Sequence, residues 1–101
     1  MTHWFISRHS GAIEWAKQQN LPVDRFESHL DVDEVKPGDH VYGTLPVELA
    51  AEVCRRGARF FSLSMLVPEN QRGTELTAED LIMLNARLRE YRVIDLEDSD
   101  E

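Results

Sequence analysis

Three adjacent polar side chains near the N-terminus could bind a phosphate ester and help to cleave it. Ser7, Arg8 and His9 end an apolar run, and Ser10 and Gly11 then begin a helical pattern. A hydroxyl and a guanidinium beside the free N–H groups of a helix start are suited to hold a phosphate. The imidazole can act as a general acid or base near neutral pH. We therefore take Ser7, Arg8 and His9 as catalytic candidates, and Ser10 and Gly11 as ligand-binding candidates.

A second corner of the same kind follows later in the chain. Gly43 and Thr44 end another short apolar run, and Pro46 suits the first turn of the helix that follows. Glycine allows a ligand or a backbone to approach closely, and Thr44 can either cap the helix or hydrogen-bond a phosphate. In a doubly wound sheet the two strands are expected to be neighbours, so that both corners open into one crevice at their carboxyl ends.

Two further strand ends could reach the rim of that crevice. His29 ends the second predicted strand and Ser64 ends the last one, and a structural role is an open alternative for both. Ser10 can likewise cap its helix instead of contacting a ligand. His3 and His40 fall at the amino ends of their strands, so we place them outside the site.

Short apolar runs that alternate with helical patterns predict an α/β fold. The predicted strands cover residues 2–7, 23–29, 40–43 and 59–65. The predicted helices cover residues 10–20, 46–56 and 77 to at least 91, with one helical turn in 31–36. The second strand alternates poorly, which favours an edge position. We expect a small Rossmann-like domain in residues 1–93, with a mainly parallel four-stranded sheet flanked by helices. Residues 94–101 form an acidic tail that we expect to be disordered.

Composition and charge limit the class of ligand. The chain has 101 residues, 42% hydrophobic and 30% charged, which is typical of one soluble globular domain. A net charge of −8 argues against binding long nucleic acid, because that affinity comes largely from neutralising phosphates. A compact anion needs only a local pocket.

No apolar run approaches the ~20 residues of a membrane span, and no leader precedes the first strand, so we expect a cytoplasmic protein without membrane contact.

The sequence lacks the motifs that several kinds of chemistry require. The single cysteine, Cys54, excludes an intrachain disulfide and a zinc site of paired cysteines. No dinucleotide, Walker, serine-hydrolase or calcium-loop motif occurs, so we expect no metal and no cofactor. Phosphodiester cleavage without a metal needs an internal nucleophile such as a ribose 2′-OH, with the protein supplying orientation and charge stabilisation.

The chain resembles a family of small CRISPR-associated accessory proteins of type III CRISPR systems, the Csx-type ring nucleases. The resemblance covers roughly residues 2–93. It rests on residues 4–9, 11–15, 29–30, 37–39, 43–46, 50–54 and 57–59, above all on the Ser-Arg-His and Gly-Thr-Leu-Pro segments in this order. Ser10 stands where many relatives are expected to carry proline, which leaves the helix start less rigid and removes no catalytic group.

This resemblance implies a fold and an activity. The family is similar to Rossmann-type (CARF-like) sensors of cyclic oligoadenylate and is expected to act as a homodimer that holds the ring in the dimer cleft. The implied activity is cleavage of cyclic oligoadenylate, most simply cyclic tetraadenylate, into linear products that end in a 2′,3′-cyclic phosphate. That reaction would switch off type III CRISPR antiviral signalling.

Two other functions stay open at this point. A phosphate cradle also suits a binding module that sequesters cyclic oligoadenylate without cutting it. An interaction adaptor could use the acidic tail, residues 95–101, to contact a basic partner.

Overall fold

Strands and helices alternate along the chain in a computed structural model that describes residues 1–68, 73 and 75–97. The strands are β1 (His3–Ile6), β2 (Arg25–Glu27), β3 (His40–Gly43), β4 (Arg59–Ser64) and β5 (Arg87–Tyr91). The helices are α1 (Ser10–Gln18), α2 (Val47–Arg55) and α3 (Ala78–Met83), with a 3-10 turn at Val32–Glu34. None of these helices is long and apolar enough to cross a membrane.

The five strands form one mixed sheet in the order β2-β1-β3-β4-β5. The first four are parallel, and β5 pairs with β4 in the antiparallel direction. From the middle of the sheet the chain winds both ways: β1 connects through α1 to β2, and β3 connects through α2 to β4. The winding direction therefore reverses between β1 and β3.

Each face of the sheet has its own apolar core. On one face, α1 and α3 pack through Trp15, Ala16 and Leu81 against Phe5 and Tyr42. The opposite face carries α2, whose residues pack against the other side chains of the same strands; this cluster comprises Trp4, Ile6, Val35, Val41, Ala50, Val53, Ala58 and Phe60. Because side chains alternate along a strand, β1 and β3 are buried on both faces, as their continuous apolar sequences require.

A buried carboxylate fixes the amino end of the β1/β3 pair. The Asp39 side chain accepts hydrogen bonds from the Thr2 N–H (2.9 Å), the Lys36 N–H (3.0 Å) and the Trp4 indole N–H (3.2 Å). Burial alone would raise the pKa of Asp39, but these donors stabilise the anion and bring its pKa below the ordinary value. The carboxylate thus ties β1 to the turn that precedes β3.

A close backbone approach fixes the carboxyl end of the same pair. Gly43 lies opposite Ile6 with a φ of +131°, and a Cβ at Gly43 would overlap the Ile6 carbonyl oxygen. A second glycine, Gly11, permits a similar approach between α1 and the segment that leads into α3, since a Cβ there would overlap the Leu76 carbonyl oxygen. Glycine is needed at both positions because no side chain fits.

Most of the predicted elements are confirmed, with one consequential exception. β1, β3, β4, α1 and α2 lie within a residue or two of their predicted bounds, and β2 is short and at the sheet edge. α3 begins with a capping box formed by Thr77 and Asp80. The prediction of one long helix from residue 77 to at least 91 is wrong, because α3 ends at Met83 and Asn85 adopts a left-handed φ of 56°.

The prediction of a mainly parallel four-stranded sheet is therefore corrected, because the structure has a mixed sheet of five strands. Leu81, Leu84, Leu88 and Tyr91 are spaced for a helix, yet Leu88 also fits a strand, and pairing with β4 satisfies a row of backbone groups that would otherwise form a free edge. Residues 69–72 and 74, which lie between the predicted fourth strand and third helix, and residues 98–101 of the predicted acidic tail are outside the described residues.

Gly43→Ala should destabilise the protein by at least about 3 kcal/mol, because the methyl group overlaps backbone and the positive φ disfavours a side chain. Gly38→Ala is the matched control: Gly38 also has a positive φ, of +90°, but nothing lies within 4 Å of its added Cβ. Only the conformational cost of about 1–2 kcal/mol is then expected. Urea unfolding measures both variants, and equal losses would contradict the close approach.

Asp39→Asn should lower the free energy of unfolding by about 2–4 kcal/mol, because an amide cannot accept all three hydrogen bonds. The folded pKa of Asp39 lies below the unfolded one, so its contribution is present above the ordinary carboxyl pKa and lost as pH falls below it. Urea midpoints of the wild type should therefore drop more steeply below about pH 4 than those of the variant. Glu14→Gln, on the exposed side of α1, is the control and should leave the midpoint unchanged.

Candidate functional site

The reversal point between β1 and β3 brings the two predicted corners together. Ile6 and Gly43 are paired residues at the ends of these strands, so Ser7 and Thr44 leave the sheet side by side. The Thr44 N–H donates to the Ile6 carbonyl oxygen over 3.4 Å, and the Ser7 N–H donates to the Glu27 carbonyl oxygen over 3.0 Å. In open α/β sheets ligands bind at this place, outside the carboxyl ends of the strands where the winding reverses.

The first corner is a tight turn that exposes its charged side chain. The half-buried Ser7 accepts a hydrogen bond on its Oγ from the His9 N–H at 3.1 Å, which leaves its hydroxyl proton free to donate elsewhere. Arg8 is exposed, and no residue in the described part of the chain forms an ion pair or hydrogen bond with it. The guanidinium is thus available for an anionic ligand.

The two helices that begin at this edge lack side-chain caps. α1 starts after His9 and α2 after Pro46, and neither residue caps its helix through a side chain. By contrast, α3 is closed by the Thr77–Asp80 capping box. The first turn of α1 contains no acidic residue, whereas the first turn of α2 contains Glu48. Because the positive end of a helix dipole attracts anions, α1 offers the better phosphate site of the two.

A carboxylate that was not among the predicted residues contacts His9. The Glu75 carboxylate oxygen lies 3.5 Å from His9 Nδ1, and both side chains are exposed, at 64% and 70%. A carboxylate on Nδ1 can orient the ring and leave Nε2 directed outward. Nothing in the sequence pointed to Glu75, because it lies outside the predicted strands and helices and is far from His9 along the chain.

The remaining candidates divide into ligand-accessible and structural positions. Ser10, Thr44 and His29 are exposed at the carboxyl edge, with His29 two residues beyond the end of β2. Gly11 is buried, and the approach of the Leu76 backbone explains its lack of a side chain. Ser64 is half-buried at the end of β4 and donates to the Ser62 carbonyl oxygen over 3.3 Å.

One basic residue joins this edge because of the corrected strand. Arg87 begins β5 and pairs with Ser64, so it extends the carboxyl edge beyond β4. It was missed because the segment was predicted as helix. A helix would give Arg87 no register with Ser64.

His3 and His40 lie at the opposite, amino edge, as predicted. They are paired residues of β1 and β3 with ring centroids 4.7 Å apart, and the His40 ring nitrogen lies 3.1 Å from the Tyr42 hydroxyl. Burial lowers the pKa of His40, and the nearby His3 and Arg59 lower it further. In the described part of the chain, no group of three His, Cys, Asp or Glu side chains is arranged to hold a metal ion.

Comparison with known proteins gives a family for this chain. The sequence model of the family described as "Putative CRISPR-associated protein (Cas_VVA1548)" matches residues 4–94. The searches of curated proteins and of solved structures each found no match. The matched region contains both corners of the site and all five strands except His3. The chain therefore belongs to the Cas_VVA1548 family.

Proposed function

We propose that this protein is a ring nuclease, which binds cyclic oligoadenylate at the β1/β3 edge and cleaves it. One observation carries the proposal: at the winding reversal, an arginine without an ion pair among the described residues, a histidine and a helix start without a side-chain cap lie beside the Gly43–Thr44 corner. The match to a CRISPR-associated family supports a role in CRISPR defence. The strand order supports the Rossmann-like interpretation, in which this edge binds the ligand.

The proposed ligand fits the charge of the protein. A net charge of −8 disfavours long nucleic acid, whereas a small ring needs only local donors. The first N–H groups of α1 and the Arg8 guanidinium would hold one phosphate, and the Thr44 hydroxyl would contact the next. Glu75 is the anion that a ligand phosphate would replace beside His9.

Cleavage would proceed by attack of a ribose 2′-OH on the adjacent phosphorus. The new bond joins O2′ to phosphorus, the bond from phosphorus to O5′ breaks, and the products are a 2′,3′-cyclic phosphate and a 5′-hydroxyl. The 2′-OH proton leaves as the bond forms, and O5′ gains a proton as it departs. Arg8 stabilises the charge that develops on the phosphoryl oxygens, and His9 is the candidate to accept or deliver a proton.

A symmetric dimer would complete the site. Cyclic tetraadenylate has four phosphates and two-fold symmetry, so two copies of the Arg8 corner facing each other would match it. Exposed apolar side chains lie at the same edge: Val47, the first residue of α2, is 68% exposed, and Leu66, just beyond β4, is 85% exposed. Burial of such side chains between two copies would favour a dimer with the ligand held between the copies.

The alternative is a module that binds the ring without cutting it. A phosphate cradle serves both functions, so turnover decides between them. With cyclic tetraadenylate in large excess over protein, an enzyme forms more linear product than there are binding sites. A sequestering module depletes free ring to one equivalent and forms no product.

Arg8→Ala should lower kcat for ring cleavage by about 10²–10³-fold, because the charge on the phosphoryl oxygens loses its stabilising donor. Product formation can be followed by chromatography of the linear oligoadenylates. Arg92→Ala is the matched control, since Arg92 is also exposed and has no ion pair among the described residues. Cleavage by Arg8→Ala at the wild-type rate would remove Arg8 from the mechanism.

His9→Ala separates a proton carrier from a residue that only lines the site. A proton carrier should lose about 10²–10⁴-fold in kcat with little change in KM, because general acid–base catalysis acts in the transition state. His40→Gln, at the opposite edge, controls for loss of a histidine once its urea midpoint has been checked. A raised KM with unchanged kcat would show that His9 contributes binding alone.

A further inference from the structure

The antiparallel strand β5 and the residue that follows it carry arginines to which the proposed cleavage mechanism assigns no role. Arg87, Arg89 and Arg92 are exposed, and no carboxylate among the described residues forms an ion pair with them. Other arginines in this acidic protein are paired: Arg25 contacts Glu27 and Glu34, and Arg59 forms a two-bond pair with Glu90.

The strand register places two of these arginines on one face. Arg87 pairs with Ser64, Arg89 with Ser62 and Tyr91 with Phe60. Directly paired residues of antiparallel strands point to the same face, and Phe60 belongs to the core beneath α2. Arg87, Arg89 and Tyr91 therefore line the α2 side of β5, beside the half-buried serines of β4.

The opposite face of the same strand has a different character. Glu90 pairs with Phe61, and its carboxylate is held by Arg59 through bonds of 2.7 Å. The one acidic residue of β5 is thus neutralised and turned away from Arg87 and Arg89. The positive charge on the α2 side has no internal compensation within the strand.

An aromatic ring continues the row of arginines. Tyr91 is 46% exposed, and the Arg89 guanidinium lies 6.0 Å from the centre of its ring. Residues two apart on a strand are separated by about 6.8 Å, which is comparable to the spacing of successive phosphates along an extended nucleic-acid strand. Guanidinium groups at that spacing, followed by an exposed ring, combine phosphate contacts with a surface on which a base can stack.

We propose that Arg87, Arg89 and Tyr91 on the α2 side of β5 form a binding site for a short single-stranded oligonucleotide. Arg87 and Arg89 contact two successive phosphates, and a base stacks on Tyr91. The hydroxyls of Ser62 and Ser64 lie alongside the phosphate row. This site is separate from the Arg8 crevice and does not depend on ring cleavage.

The net charge of −8 is compatible with this site because the charge is unevenly distributed. Residues 87–92 contain three arginines and one glutamate, and that glutamate is paired. Contact with two phosphates gives weak, salt-sensitive binding. For two neutralised phosphates on a single strand, log K should fall with log salt at a slope of about −1.4.

Fluorescence anisotropy of a 5′-fluorescein-labelled oligouridylate tests the site in the full-length protein. Uridylate is chosen because stacking on an aromatic ring tolerates any base, and the Arg8→Ala variant reports any binding in the crevice. The wild type should bind at low salt with the slope of about −1.4, and Arg89→Ala should reduce the slope to about −0.7. Tyr91→Leu should weaken binding by about fivefold or more.

Arg92→Ala is the matched control, because it removes the same charge from the residue just past the strand. Binding by Arg92→Ala should stay close to that of the wild type, and so should binding by Arg8→Ala. Equal losses in Arg89→Ala and Arg92→Ala would overturn the site, since they would show a general charge effect. Loss of oligouridylate binding in Arg8→Ala alone would place the oligonucleotide in the crevice, and this result would also overturn the β5 site.

Competition with an acidic peptide tests whether the β5 site binds a protein segment or a nucleic acid. If a glutamate-rich peptide of matched charge displaced the oligouridylate equally well, and Tyr91→Leu had no effect, the surface would be a site for an acidic protein segment and the proposal would fail. Ring cleavage by Arg89→Ala is measured in parallel and should equal that of the wild type, so that failure of the crevice and failure of this site give different results.

Discussion

The register between β1 and β3 is the constraint on which the rest of the molecule depends. At the amino end, the buried Asp39 carboxylate binds the Thr2 N–H and the Trp4 indole N–H, which ties one strand to the turn before the other. At the carboxyl end, Gly43 lets the strands approach where any side chain would strike the Ile6 carbonyl oxygen. A shift of one residue would turn every side chain of β1 to the opposite face and separate the Ser7 and Thr44 corners.

From this pair the chain winds in two directions along the sheet, with α1 and α2 on opposite faces and both helices starting at the carboxyl ends of the strands. The consequence is electrostatic as well as topological. Two helix starts without side-chain caps point to one edge, and α1 has no acidic residue in its first turn. α3, by contrast, satisfies its own first N–H groups through Thr77 and Asp80. Helix starts without side-chain caps are therefore concentrated beside Arg8, which forms no ion pair or hydrogen bond with any residue that the structure describes.

The arginines fall into two groups, those that form ion pairs with carboxylates and those that do not. Arg25, Arg56 and Arg59 join surface segments through ion pairs with Glu34, Asp33 and Glu90. The arginines without such partners in the described part of the chain lie along the carboxyl edge and β5; they are Arg8, Arg87, Arg89 and Arg92. In a protein with a net charge of −8, carboxylates are abundant, so arginines left without one mark the surfaces that are suited to anionic ligands.

Local patterns in the sequence were enough to predict most strands and helices. They also predicted that the two strand-to-helix corners lie side by side. Continuous apolar runs predicted β1, β3 and β4, helical spacing predicted α1 and α2, and the strand-to-helix junctions predicted Ser7–Arg8–His9 and Gly43–Thr44 as one edge. These signals are contained within a few residues and need no distant partner. β5 was mistaken for helix because Leu88 satisfies both periods, and pairing with β4, some 25 residues earlier, selects the strand. The Glu75 contact with His9, the packing role of Gly11 and the common face of Arg87 and Arg89 likewise arise between segments far apart in the chain, where local periodicity carries no information.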